Sequence, residues 1–211
     1  MSNAVNPPAS RSRRQVQAEE TRTVIVAAAR ELFLAQGYVP TSIDAVAVRA
    51  GVAIQTIYNS VGGKPALLSA VLDAAVAGPN APASVPEFMK ERMSRTTDVA
   101  GAIGVLADWF TEGLPRSHAI FTAISQGAAV DPAVAALRDA RAMQRLHNYR
   151  QAAAAIRQRG GLSNGMSDDD GAAVIFALGH PDTYASLVHT ANWDVVRYRD
   201  WVHAALLGAL S

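Results

Sequence analysis

Between Thr41 and Tyr58 the residue order leaves the backbone few choices. Thr41 or Ser42 can cap a short helix, because a hydroxyl accepts the unpaired N–H groups of a first turn. Ala47 is small where two helices must cross closely. Gly51 follows four residues later, where the chain must leave the helix through a left-handed conformation that glycine tolerates best. Val52 and Ile57 then pack the second helix onto the first. A small residue, a glycine at +4 and a β-branched residue at +10 set the tight angle of a helix-turn-helix. The second helix is expected over about Ala53–Ser60, with Gln55, Thr56, Tyr58 and Asn59 pointing outward.

The flanks extend the pattern. Ile25, Ala28, Ala29, Leu32 and Phe33 share one face of an amphipathic helix that ends at Gly37-Tyr38, with Pro40 beyond it. Downstream, Gly62-Gly63-Lys64-Pro65 stops the second short helix and opens another, Pro65 suiting a first helical position. Leu67, Leu68, Val71, Leu72 and Val76 continue it.

In this order of elements the chain resembles the tetracycline-repressor-like (TetR) family of transcriptional regulators. The resemblance is carried by Thr21-Arg22, Ala28-Ala29, Leu32-Phe33, Gly37-Tyr38, Thr41-Ser42-Ile43, Val46-Ala47, Arg49-Ala50-Gly51-Val52, Thr56-Ile57-Tyr58, Gly63-Lys64 and Leu67. It implies that Thr41, Thr56, Tyr58 and Lys64 touch DNA phosphates, and that the exposed start of the recognition helix touches bases. Ser42, Ile54, Gln55 and Asn59 complete the DNA-binding set. Three positions depart from the pattern: Ala53 stands where a serine often caps the recognition helix, Ile54 where a polar residue is usual, and Val61 where an aromatic is common.

Composition narrows the alternatives. The chain has 211 residues, half of them hydrophobic, enough for one small and one larger domain. Alanine dominates and strand-like alternation is scarce, so an all-α protein is expected. No apolar run reaches the ~18 residues of a membrane span, and Ser10-Arg11-Ser12-Arg13-Arg14 is not a signal-peptide core, so a cytoplasmic protein with no membrane partner is expected. With no cysteine there is no disulfide and no thiolate nucleophile. The net charge is +1 but uneven: residues 1–64 carry seven Arg or Lys against four Asp or Glu, and residues 65–211 twelve against fourteen. The positive excess lies at the end where phosphates would be neutralised.

Catalytic and metal chemistry find no pattern, and no cofactor is expected. Gly63-Lys64 is not a phosphate-binding loop, which would need glycine at Tyr58 and Ser or Thr at Pro65. Asp168, Asp169 and Asp170 follow Ser167, the arrangement of a capped first turn rather than of a metal site. The five histidines show no metal-ligand spacing and there is no nucleophile elbow, so no enzymatic activity is expected.

Three regions follow. Residues 1–20 read as a disordered basic arm, 21–77 as the helix-turn-helix domain with a linking fourth helix, and 78–211 as a C-terminal helical domain. The breaker cluster Gly78-Pro79-Asn80-Ala81-Pro82, with Pro86 beyond, marks the second boundary. Helices are expected over Asp98–Gly113, from Pro115 to about Ser125, Pro132–Arg159, 168–179, Pro181–Thr190 and Asp194–Leu210. By family resemblance this bundle binds an effector and dimerises, with Val174, Leu178, Val202, Leu206 and Leu210 as interface candidates. Trp109, Phe110, His118, Phe121, Met143, His147 and Tyr184 are candidates to line a pocket between helices, beside polar Gln126 and Asn148. Arg116, Arg138, Arg141, Arg145 and Arg150 fall on polar faces, so the effector is expected to be small and hydrophobic. The whole reads as a homodimeric repressor on a palindromic double-stranded operator. The alternatives are a constitutive DNA binder without an effector and an α-helical small-molecule binding protein.

Overall fold

The computed structural model describes residues 13–78, 85–163 and 165–211, and all regular structure among them is helical. The helices are α1 (Arg13–Gln36), α2 (Ile43–Ala50), α3 (Ile54–Ser60), α4 (Lys64–Ala77), α5 (Val85–Ser94), α6 (Val99–Ala128), α7 (Pro132–Arg157), α8 (Asp168–Leu178), α9 (Pro181–Tyr184), which runs on as a π-turn over Ala185–Thr190, and α10 (Val195–Leu210). Two compact units form, residues 1–70 and 71–211. The division falls inside α4; the boundary expected from the breakers lies at the far end of the same helix.

In the first unit α1 buries Ile25, Ala28, Ala29 and Phe33, the stripe seen in the sequence. The expected arm over residues 1–20 needs correcting in part. Residues 1–12 lie outside the described residues, but 13–20 are helical. Arg, Gln, Ala and Glu dominate that segment and are strong helix formers, and Thr21 Oγ1 donates to the Gln17 carbonyl at 2.8 Å. α2 and α3 both pack on α1 and on each other.

In the second unit α6 packs on α7 and α10, and α7 on α8. Ile103, Leu106, Phe110, Ile156, Ile175, Val202 and Leu206 form the buried core. Expected as two helices, α6 is one, with Pro115 inside it. An interior proline costs a helix ~3 kcal/mol, yet Phe110, Leu114, Ile120 and Ile124 are buried on both sides of it. Continuous burial on one stripe outweighs the lost backbone bond. α5 was not expected, since Pro86 read as a breaker. It stands at the second position of α5, where a missing N–H leaves no bond unmade.

Side chains close several helix ends. Ser167 Oγ accepts from the Asp170 N–H and Asp170 Oδ2 from the Ser167 N–H, each at 3.1 Å, a complete capping box. That bonding holds the exposed Asp170 carboxyl below the usual range. Asp168 and Asp169 pair with Arg157 and Arg150 at 2.8 and 2.6 Å. The acidic triplet is thereby explained by capping and ion pairing, and no cluster able to hold a metal occurs among the described residues. Arg159 donates to the Met93 and Thr96 carbonyls, closing the end of α5. Arg116 does the same for Ala75 and Val76 on α4.

Three of the interface candidates belong elsewhere. Val202, Leu206 and Leu210 are fully buried in the chain's own core, so they have no surface to offer a partner. α10 presents a different face, with Val196, Ala204 and Gly208 exposed.

Gly179 sits against the Phe110 ring, and a Cβ there would lie 2.6 Å from both Cε1 and Cε2. Phe110 is itself 2 % exposed and has little room to move. Gly179→Ala should lower unfolding stability by about 1–3 kcal/mol through overpacking, read as a lower urea midpoint at unchanged slope.

Candidate nucleic-acid interface and ligand cavity

The turn between α2 and α3 forms as its residues require. Ser42 Oγ accepts from the Ala45 N–H at 3.1 Å and caps α2. Gly51 takes φ 67°, ψ 32° and ends it. The Val52 N–H then reaches the Ala47 carbonyl at 3.1 Å, the six-residue closure of a glycine-capped helix. Ala47 and Ile57 are buried where the helices meet. Ala53 precedes α3 with no side-chain cap. The far end of α3 is held by Arg22, whose Nη1 donates to the Ser60 carbonyl at 2.7 Å.

One surface of α3 is left outward. Ile54 and Tyr58 are 44 % and 51 % exposed, and Gln55 and Asn59 are exposed beside them. Gln55 Nε2 donates to Asn59 Oδ1 at 3.0 Å, so the two carboxamides form one oriented pair. Thr56 is half-buried and Ser42 exposed. Lys64 Nζ donates to the Val39 carbonyl at 3.2 Å and lies 4.0 Å from the Tyr38 ring centre, which anchors its ammonium beside the turn after α1. Thr41 is placed differently from the rest. It is 1 % exposed, its Oγ1 donates to the Gly37 carbonyl at 2.8 Å, and it accepts from Gln36. A hydroxyl so occupied braces the loop from within and cannot reach a phosphate in this conformation. The exposed Val39 and Val48 were not among the sequence candidates.

The second unit holds a cavity of about 440 Å³. α4, α5 and α6 supply its apolar wall, including Leu72, Val76, Met89, Leu106, Trp109, Phe110 and Phe121. α7 supplies Arg141, Gln144, Arg145, Asn148 and Gln151, a polar stripe at helical spacing, with Tyr149 beside it. Of the sequence candidates, Trp109, Phe110, Phe121 and Asn148 line it. Met143 is 66 % exposed and does not. His147 contacts Gln151 from the exposed side, Nε2 to Nε2 at 3.1 Å, and lies outside the lining. His118 and Tyr184 belong to a separate ring cluster, with centroids 4.5 Å apart for His118–His189, 5.5 Å for His118–Tyr184 and 5.1 Å for Tyr184–Tyr198. Apolar periodicity could not find the α7 stripe because its residues are polar.

The arginines expected on solvated faces divide. Arg138 pairs with Asp139 at 2.9 Å, as expected, and Arg141 with Asp73 at 2.7 Å. Arg145 lines the cavity instead. Its Cζ lies 4.7 Å from the Phe121 ring centre and 4.8 Å from that of Phe176. Burial pushes its guanidinium below the ordinary arginine value, with Tyr149 and Asp182 opposing.

The first unit is thus a helix-turn-helix DNA-binding domain. Residues 25–71 match the model described as "Bacterial regulatory proteins, tetR family", so this domain is similar to the DNA-binding domain of those regulators. No curated protein matches the chain. Among solved structures it is similar to NalD, the secondary repressor of the MexAB-OprM multidrug efflux pump in Pseudomonas aeruginosa, with TM-score 0.70 and 22 % identity over 92 % of this chain and 98 % of that one. A SmeT–triclosan complex gives 0.68 and 19 % over 90 % and 91 %. The fatty acid degradation regulator FadR from Bacillus halodurans gives 0.71 and 16 % over 95 % and 97 %. These likenesses show the fold. Among the described residues no single helix is long and apolar enough to cross a membrane.

Two histidines make stability pH-dependent. Burial holds His118 below the ordinary imidazole value, and the neighbouring His189 adds to the effect. Burial and then Arg145 do the same for His180, against Asp182. A folded-state value below the unfolded one means that the unfolded chain takes up protons first as pH falls. Their stabilisation is therefore intact above about pH 6.5 and is lost as pH falls through the folded values. The urea midpoint should drop between neutral pH and about pH 5, and His118→Gln should flatten part of that drop.

Proposed function

We propose that the protein is a homodimeric transcriptional repressor that leaves a palindromic operator when a small effector of mainly hydrophobic body enters the C-terminal cavity. The observation that carries the DNA-binding part is the α2–α3 turn, closed by Gly51 and leaving Ile54, Gln55, Tyr58 and Asn59 exposed on one short helix. A helix of this length reads only a few base pairs, so two-fold pairing of reading heads multiplies specificity. The family model supports DNA binding, and the cavity's size and mixed lining support a ligand. That NalD is described as a repressor and that SmeT is seen with triclosan favour the same sign and the same kind of control here. No catalytic step or cofactor is assigned, and a cytoplasmic setting suits the role.

In this reading Ser42, Thr56, Tyr58 and Lys64 contact phosphates, and Ile54, Gln55 and Asn59 contact bases. The dimer forms on the exposed sides of α8 and α10 and buries more than ~2,000 Å² in total, as an obligate dimer does. An effector acts through different affinities for two spacings of the reading heads.

Selection from random double-stranded DNA, followed by titration at several salt concentrations, tests the proposal. A two-fold symmetric site with strong salt dependence is expected; binding no better than to random sequence would sink it. Lys64→Ala should weaken binding to all sequences alike and lower the salt slope by about one. Gln55→Ala should cost about 1–3 kcal/mol at a single A·T position in each half-site, because a carboxamide pairs with adenine through two bonds. Sedimentation at micromolar concentration should give a dimer, and a monomer would refute the assembly.

A further inference from the structure

Arg145 is the cavity-lining cation that is half-buried yet has no ion pair among the described residues, Asp182 acting on it only at longer range. Three cationic side chains line the cavity, Lys90, Arg141 and Arg145, against a single carboxylate, Asp73. Asp73 is committed to Arg141 at 2.7 Å, and Lys90 is exposed to solvent. Arg145 has no ion pair or hydrogen bond with the described residues, and its Nε is buried without a partner. The Phe121 and Phe176 rings, each within 5 Å of Cζ, hold the guanidinium in place. A planar cation fixed between aromatic rings is pre-organised, and burying it unpaired is costly. The group that removes that cost is a carboxylate or a similar oxyanion, which meets a guanidinium's forked donors.

We infer that the cavity's ligand is a monoanionic amphiphile, with one acidic headgroup on Arg145 and an aryl or aliphatic body against Trp109, Phe110 and Phe121. This rests on the reading of the cavity as an effector site. A neutral ligand leaves the guanidinium unmatched, and a cationic one meets only the carboxylate already paired. One headgroup suffices because one half-buried cation lacks an ion pair. Gln144 and Asn148, on the same stripe of α7, are placed to bond the headgroup's remaining lone pairs.

The test is a charge series of one shape, 4-phenylbutyrate, 4-phenylbutan-1-ol and 4-phenylbutan-1-amine, titrated by calorimetry into the full chain at neutral pH. The carboxylate should bind at least about tenfold tighter than the other two. Arg145→Gln should abolish that preference while leaving the alcohol's affinity unchanged, and Arg145→Lys should keep part of it. An alcohol or amine that binds as tightly as the carboxylate overturns the inference but leaves the effector site standing. So does a preference that survives Arg145→Gln. Failure of all three to bind at millimolar concentration removes the effector site itself. Should Arg145→Gln not fold, by circular dichroism, the charge series on the unaltered chain still decides.

Discussion

The second unit is assembled on the apolar stripe of α6. Ile103, Leu106, Phe110, Leu114, Ile120 and Ile124 are buried along it, and α7 and α10 both pack against the helix. Because the stripe must stay continuous, the helix carries Pro115 through its middle instead of ending there. Phe110 also forms part of the cavity wall, and its ring excludes a side chain at position 179. Burial of one stripe thus fixes the bundle, positions the cavity and sets a close contact that tolerates only glycine. The effect is large because hydrophobic burial contributes about 25 cal/mol per Å² of apolar surface, and a continuous stripe gathers it over many turns.

In the first unit a backbone conformation has the same organising role. Gly51 in the left-handed region lets Val52 close the end of α2, and that closure aims α3. The polar groups around it hold this arrangement in place. Thr41 braces the loop after α1, Arg22 holds the end of α3, and Lys64 is tied to Val39. Of the residues that the motif marks, Thr41 is buried and braces the loop, whereas Ile54, Gln55, Tyr58 and Asn59 are exposed.

The cavity joins two kinds of surface. Its apolar wall follows from the same packing as the core, whereas its polar wall is one stripe of α7. Burial without an ion pair is costly for a guanidinium, and the flanking rings offset part of that cost. A ligand that supplies the missing countercharge binds with that penalty removed. In the proposed reading, specificity depends less on shape than on Arg145.

Local patterns in the sequence determined the helix-turn-helix. Gly51, Ser42, Ala47 and the α1 stripe each act within a few residues, so spacing alone placed them, and the N-cap at Ser167 was legible for the same reason. The α-helical class was legible from composition. Other features depended on contacts between residues far apart in the chain. Whether Pro115 breaks a helix was settled by burial on both sides of it. That Val202, Leu206 and Leu210 are core residues followed from packing against α6 and α8, since an apolar face looks the same whether it meets its own chain or a partner. Thr41 turned inward because Gly37 and Gln36 hold it. The fate of each arginine depended on its partners: Arg141 found Asp73, 68 residues away in sequence, and Arg145 found two phenyl rings and no ion pair among the described residues. Charge pairing is a matter of distance in space, and only the tertiary structure sets that distance.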